Sequence, residues 1–389
     1  MKEADQLGRP PLVTCPHCGM TVPAGNFCGH CGAHLTTANT TRRHAFAAVP
    51  NERVVHLSVV TTLFPHLNHR RGGAFQWALL AGSAAVIVLA MLHLFAPATV
   101  AATLLLPVLY LLYLYEVEVY EDEPWLLVGA TMVVGAVFGY AFTSFSGAAV
   151  SLLNLTGDQD NAFVLAGVAI PIVAQTLMLA GPLFLYVFRR RFREPLDGLT
   201  FGAACALGFT LTHSLTVLWP AINGTLVAGG DPFDWLLRLL RAGILVSLIN
   251  ASTTALVTAA LWLHRYDRRR LSRPWASSIL ATVVVAFGAQ VVLGMLSVAI
   301  PSLLVEVGVR LLAASALLLY VRLVIHQALL VEGVEHAIGP NARCPECHRM
   351  VPTMAFCPAC GAARAAGPKQ GRAPAAAAND GRTPTGGVL

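Results

Sequence analysis

Eight of the nine cysteines fall into two sets with one spacing. Residues 15–33 read CPHCGMTVPAGNFCGHCGA and residues 344–362 read CPECHRMVPTMAFCPACGA, each C-x2-C-x9-C-x2-C. Cys15, Cys18, Cys28 and Cys31, and likewise Cys344, Cys347, Cys357 and Cys360, supply the two CxxC pairs that surround a tetrahedral zinc ion in a ribbon. The copies also share Pro16/Pro345, Val22/Val351, Pro23/Pro352, Phe27/Phe356 and Gly32/Gly361. A glycine after the last cysteine permits the left-handed turn such a ligand loop needs. Two other chemistries use this spacing. A disulfide framework does not suit a reducing compartment, and a CxxC redox pair lacks its usual βαβ surroundings here. The expectation is therefore two structural Zn2+ ions in two ribbons, 12–36 and 341–364. Each is too small for a core of its own, so each is expected to fold, and unfold, with its own ion. His17, His30 and His348 are surplus to a four-thiolate set. Few basic residues lie in either copy, so a cytoplasmic protein partner suits the modules better than nucleic acid.

The second group of candidate residues is polar and sits inside apolar runs. The chain has 389 residues, 56% hydrophobic and 12% charged, against about 25% charged in soluble domains. A crossing helix needs about 20 apolar residues. Eight segments qualify: 74–96, 98–115, 125–150, 162–188, 199–222, 242–263, 275–300 and 302–326. Pro97 and Pro301 mark short hairpin connections. The fold expected is an all-α polytopic membrane protein with two zinc ribbons, its partner the lipid bilayer. A linker (37–73) precedes the body (74–326), with a place along the membrane surface as an alternative for it. An Ala-, Gly- and Pro-rich tail (365–389) comes after the second ribbon and is expected to be disordered.

Arginine sets the orientation, since the only lysines are Lys2 and Lys369. Arg70 and Arg71 precede the first span. RRRFR and RYDRRRLSR fall in the loops at 189–198 and 264–274, while the connections near 97, 151–161, 223–232 and 301 carry no Lys or Arg. This places both termini in the cytoplasm, at a bacterial plasma membrane. Arg238 and Arg241, just before the sixth span, depart from the pattern. Glu306 and Arg310, four apart on the eighth span, can pair. They read as a lock between helix turns, with an ion path, as in a transporter, as the alternative. Cys205 reads as a small packing residue and His93 as a packed one.

Two stretches, YLYEVEVYEDEPWLLVGATMVVGAVFG and FREPLDGLTFGAACALGFTLTHS, give the body from about 110 to 300 a resemblance to the PrsW family of intramembrane proteases, relatives of the CAAX-protease group. In the second stretch Asp197-Gly198, Gly202-Ala203-Ala204, Gly208 and Phe209 fall as in that family. The resemblance implies catalytic positions, and this chain departs from them. The double glutamate falls on Ala174 and Gln175, and the lysine on Met178. The glutamate after Phe209 is His213, and a histidine of the sixth span is Asn250. The seventh span has no His, Asp or Glu. Across the third to seventh spans His213 is the one side chain, apart from Cys205, that titrates near neutral pH. Peptide hydrolysis needs a base for water and an acid or metal for the leaving amine. The expectation is thus a protease homologue without activity, acting as a binding or regulatory scaffold. A divergent active protease using His213 and Asn250 is the alternative. His213, Asn250, Gln175 and Gln290 are expected either to line a polar pocket or to bond helix to helix.

Overall fold

The computed structural model describes residues 11–16, 18–35, 73–116, 125–156, 159–188, 195–222, 232–266, 277–333, 338–344 and 346–364. The 37–72 linker, the loops at 117–124, 189–194, 223–231 and 267–276, and the 365–389 tail lie outside the described residues. Near each end is an antiparallel hairpin. In the first, β1 (Leu12–Thr14) pairs with β2 (Thr21–Pro23), and in the last, β3 (Asn341–Arg343) pairs with β4 (Met350–Pro352). Among the described residues eight helices lie between them: α1 (Gly73–Met91), α2 (Phe95–Glu116), α3 (Trp125–Thr156), α4 (159–188), α5 (Pro195–Ile222), α6 (232–266), α7 (Ile279–Ala299) and α8 (Leu303–Gly333). Seven of these are long and apolar enough to cross a membrane. The apolar stretch of α1, Phe75–Met91, is shorter. At 1.5 Å per residue, a helix of 19 residues still covers about 28 Å, close to the roughly 30 Å of hydrocarbon.

Some expected boundaries move. The α1–α2 turn is Leu92–Leu94, not Pro97, and exposed His93 makes it with a φ of 57°. Pro97 sits in the first turn of α2, where a missing N–H leaves no bond unmade. His93 is therefore a turn residue, edge-on to Phe95 at 5.5 Å, rather than a packed span residue. The sixth span begins as a helix already at Pro232 and so contains Arg238 and Arg241. The helix α8 runs on to Gly333.

The body is organised on α5, buried continuously from Leu196 to Thr210. In lipid, apolar side chains gain little by meeting one another, so helices associate through close backbone approach at small residues. On one side Gly135 and Gly139 of α3 face the carbonyls of Cys205 and Phe209, and Gly208 of α5 faces the carbonyl of Met132. On the other, Gly198 and Gly202 of α5 meet α6 at Thr258 and Ala255. An added Cβ at Gly198 would lie 2.7 Å from the Thr258 carbonyl. Fully buried Trp262 packs beside Phe201 and Tyr186, and Arg265 stacks on the Tyr186 ring with its guanidinium carbon 3.8 Å from the centroid.

Two helices carry a π turn, at Leu165–Ala169 in α4 and Leu240–Leu245 in α6. Each holds a glycine at a helix contact. Gly167 meets Met295 of α7, and Gly243 meets the Ala102 carbonyl of α2. A π turn rotates the rest of its helix to a new register. The polar residues of α4 and α6 that meet in the body all lie on the C-terminal side of theirs.

Gly208→Ala sets a methyl against the Met132 carbonyl and is expected to destabilise the body by about 1–3 kcal/mol. Gly288→Ala meets open space and should be neutral or slightly stabilising. Thermal unfolding in detergent, followed by tryptophan fluorescence, checks both; equal midpoints would contradict the account of α5.

Candidate functional sites in the membrane body and at the chain ends

Below the two π turns, α4, α5, α6 and α7 each place an uncharged polar side chain at one point. Gln175 comes from α4, Thr210 from α5 and Gln290 from α7. From α6 come Asn250, Thr253 and Thr254, whose spacing of three and four puts them on one helix face. Gln290 Nε2 donates to Asn250 Oδ1 (2.8 Å), and also faces Gln175 Oε1 and Thr253 Oγ1 (3.2 Å each). Asn250 Nδ2 donates to Thr210 Oγ1 (3.0 Å), and Thr253 Oγ1 to Gln175 Oε1 (3.0 Å). Gln175 Nε2 reaches Thr254 Oγ1 (3.4 Å), whose hydroxyl lies 4.0 Å from Met178 Sδ. Gln175 and Met178 are fully buried and Asn250 is 8% exposed. The amides thus bond to one another through Gln290 and to the threonine hydroxyls, as buried polar groups such as Gln175 and Asn250 must. Amides and hydroxyls neither take a proton at neutral pH nor offer a charge to a divalent cation.

His213 belongs to a different neighbourhood. Its Nδ1 lies 2.8 Å from Thr143 Oγ1 on α3, and its ring packs among Phe142 and Phe209. The Thr143 hydroxyl donates its one hydrogen to the Gly139 carbonyl (2.7 Å). It is therefore placed to accept from Nδ1–H, so that Nδ1 is committed to α3. Ala174 packs on the apolar cluster of Phe142, Met178, Ala206 and Phe209. Of the sequence candidates, Gln175, Asn250 and Gln290 come together with the threonines. His213 bonds to α3 instead of joining them. The threonines had no signal beyond helical spacing around Asn250.

At the other end of α6, Glu306 is held by two guanidiniums. Arg310 Nε lies 2.9 Å from Oε1, and Arg241 Nη1 of α6 lies 2.8 Å from Oε2. The expected pair is a triad, and it accounts for one of the two misplaced arginines. Arg322, 1% exposed, is a further buried charge on α8, and its place in an apolar run gave no pattern by which to single it out.

At the chain ends the four thiols of each module lie within 4.8 Å of one another. Cys15–Cys31 and Cys18–Cys28 are 3.9 and 3.8 Å apart, and Cys344–Cys360 and Cys347–Cys357 are 3.8 and 3.9 Å. A bonded pair would be about 2.05 Å apart. The edge of a tetrahedron with metal–sulfur bonds of about 2.3 Å is about 3.8 Å. Both sets therefore fit a metal ion without rearrangement. Hydrogen bonds from the Cys31 thiol and from the backbone N–H of Cys31 and His30 pull Cys28 down to about 5, while Cys31 is raised. Bonds from Cys357 and Cys360 likewise lower Cys344. The modules do not stand apart as expected. Phe27 N–H donates to the Pro358 carbonyl (3.0 Å) and Phe356 N–H to that of Gly29 (2.8 Å). Each phenylalanine ring also meets the other module, and Phe356 and Ala363 join the main core cluster of the body as well.

Comparison with protein families gives a match to the "PrsW family intramembrane metalloprotease" description over residues 123–324, more than half of the chain. The match leaves out 110–122 and reaches through most of α8, beyond the 110–300 range of the sequence resemblance. Curated proteins and solved structures give no match. A metalloprotease body implies a metal among its helices. The residues here do not fit one: Ala174, Gln175, Met178 and Asn250 offer a methyl, two amides bridged by Gln290 and a thioether, and the imidazole of His213 is turned to α3. No catalytic step is derived through such an ion. Family match, helical body and site positions lead to one assignment: the chain is a member of the PrsW family, its membrane body extended at each end by a four-cysteine metal module.

Proposed function

We propose that the membrane body is a proteolytically silent PrsW protein that works as a binding or regulatory scaffold, with two structural zinc ions in modules that offer a cytoplasmic surface to a protein partner. The closed network of Gln175, Asn250 and Gln290 with the threonine hydroxyls carries this reading. Where the family resemblance implies carboxylates, lysine and histidine, neutral groups are bonded to neutral groups. General acid–base assistance contributes roughly 10²–10⁴-fold per group, so losing several together removes most of a protease's advantage over water. His213 is the remaining base. It is held by a threonine rather than a carboxylate, among phenylalanine rings that cannot polarise a carbonyl. The two guanidiniums on Glu306 support a helix lock rather than an ion path.

Contact between the first and last modules supports a reading in which both lie on one face of the bilayer. That supports an even number of crossings, hence a crossing α1. The arginine-rich loops support the cytoplasmic face of a bacterial plasma membrane.

Purified protein is expected to hold two zinc ions per chain with sulfur-only coordination, read by metal analysis and X-ray absorption. Clearly fewer than two, with the cysteines recovered as disulfides, would count against zinc. The sign of its pH dependence comes from Cys28. A thiol lowered in the folded module stabilises it above the ordinary thiol range, and the contribution is lost as pH falls through about 5. Zinc should leave on acidification, as protons compete with it for the thiolates, rather than on alkalinisation.

Reconstituted into vesicles with a panel of single-span substrates, the protein should yield no product above empty vesicles. Cleavage that disappears in His213→Ala or Asn250→Ala would establish a working divergent protease and overturn the scaffold reading.

A further inference from the structure

The two ribbons meet through an interface that repeats itself with its partners exchanged. The offset between the copies is 329 residues, so Phe27 corresponds to Phe356 and Gly29 to Pro358. The bond from Phe27 N–H to the Pro358 carbonyl is therefore the mirror of that from Phe356 N–H to the Gly29 carbonyl. The rings obey the same rule. Phe356 lies over Gly32 and Phe27 over Gly361, where an added Cβ would be 2.9 and 2.7 Å from the ring edge. These glycines come directly after the last ligand of each module and have φ of +74° and +78°. Each ring thus closes over the other module's metal loop, in an isologous arrangement between unlike copies.

The unlike positions fit one another. Where the C-terminal module has Met354 and Pro358, the N-terminal one has Gly25 and Gly29. Gly25 faces Pro358, with 2.6 Å from an added Cβ to its carbonyl, and Gly29 faces Met354. Met354 is buried among Cys15, Val22, Cys28, Cys31 and Ala33, inside the core of the other module. Two C-terminal modules would bring Met354 against Pro358, and two N-terminal modules would set glycine against glycine and leave a void. The surface selects the unlike pairing.

We propose that the two ribbons are halves of one two-metal clasp, that the N-terminal module's binding partner is the C-terminal module of the same chain, and that each module's hold on its ion depends on the other. This rests on metal binding by the eight thiols, and metal content measured on the same samples separates the two failures. The test uses full-length protein in detergent, with a protease site in the 37–72 linker and an affinity tag after Leu389. After cleavage the N-terminal module should stay on the tagged body, and should leave on chelation or in Gly29→Glu and Met354→Asp, which keep all eight thiols. In either variant a chelator should strip zinc from both modules on the order of 10-fold faster. Release of the wild-type module with both ions bound would overturn the clasp, as would a stripping rate changed only in the substituted module. When untagged and tagged chains are mixed, the tag should not retain the untagged module. If it does, the partner is a second copy and closure within one chain is wrong.

Discussion

An amide inside a bilayer has nothing to bond except protein, and that constraint arranges the centre of this body. Gln175, Asn250 and Gln290 sit on three different helices, the first two buried and Gln290 partly so. Left unpaired, each would cost more than the roughly 0.6 kcal/mol that an interhelical bond returns on average. They therefore fix the mutual register of α4, α6 and α7, and Thr210 brings in α5. The glycines of α5 serve the same end from the backbone side. Side chains as short as Asn and Thr meet only if the helix axes come close, and Gly198 and Gly202 let α5 and α6 do so. Charge is treated differently. Glu306 is the carboxylate brought into the apolar end of α8, and it arrives with two arginines.

A feature is legible in the sequence to the extent that its signal is local. The eight metal ligands are legible because a thiolate loop is encoded within about twenty residues. The helices are legible because apolar runs of about twenty residues have few other uses. The α1–α2 turn was misplaced because Pro97 is a conspicuous break that is equally at home in a helix's first turn, while His93 gives no sign of a left-handed backbone. Helical spacing says that Thr210 and His213 lie a turn apart on α5, yet not which neighbour each faces. Hence Asn250 could be placed at a polar centre, while the bond from His213 to Thr143 could not be foreseen. Arg241 looked misplaced because its partner is 65 positions away. The clasp was hidden for the same reason, although its parts were in view: Phe27/Phe356 and Gly32/Gly361 were among the positions the copies share, and their use lay at the other end of the chain.

The balance of terms at the chain ends shows what controls the clasp. Its contact is small, two backbone bonds and a few side chains, and each such bond contributes about 1 kcal/mol net. Closing a linker the length of 37–73 costs about 3 kcal/mol by the logarithmic law for flexible loops. The two bonds alone therefore do not offset the cost of closure, and the burial of Phe27, Phe356 and Met354, which only folded modules can offer, must supply the rest. A structural metal ion contributes about 10–16 kcal/mol to the folding of modules of this size, and without that folding Phe27, Gly32, Phe356 and Gly361 have no surface to present. Metal occupancy, rather than contact area, decides whether the ends are joined. With the body's helices tied by neutral bonds at Gln175, Asn250 and Gln290, the metal-dependent closure proposed for its ends is where a signal can change its shape.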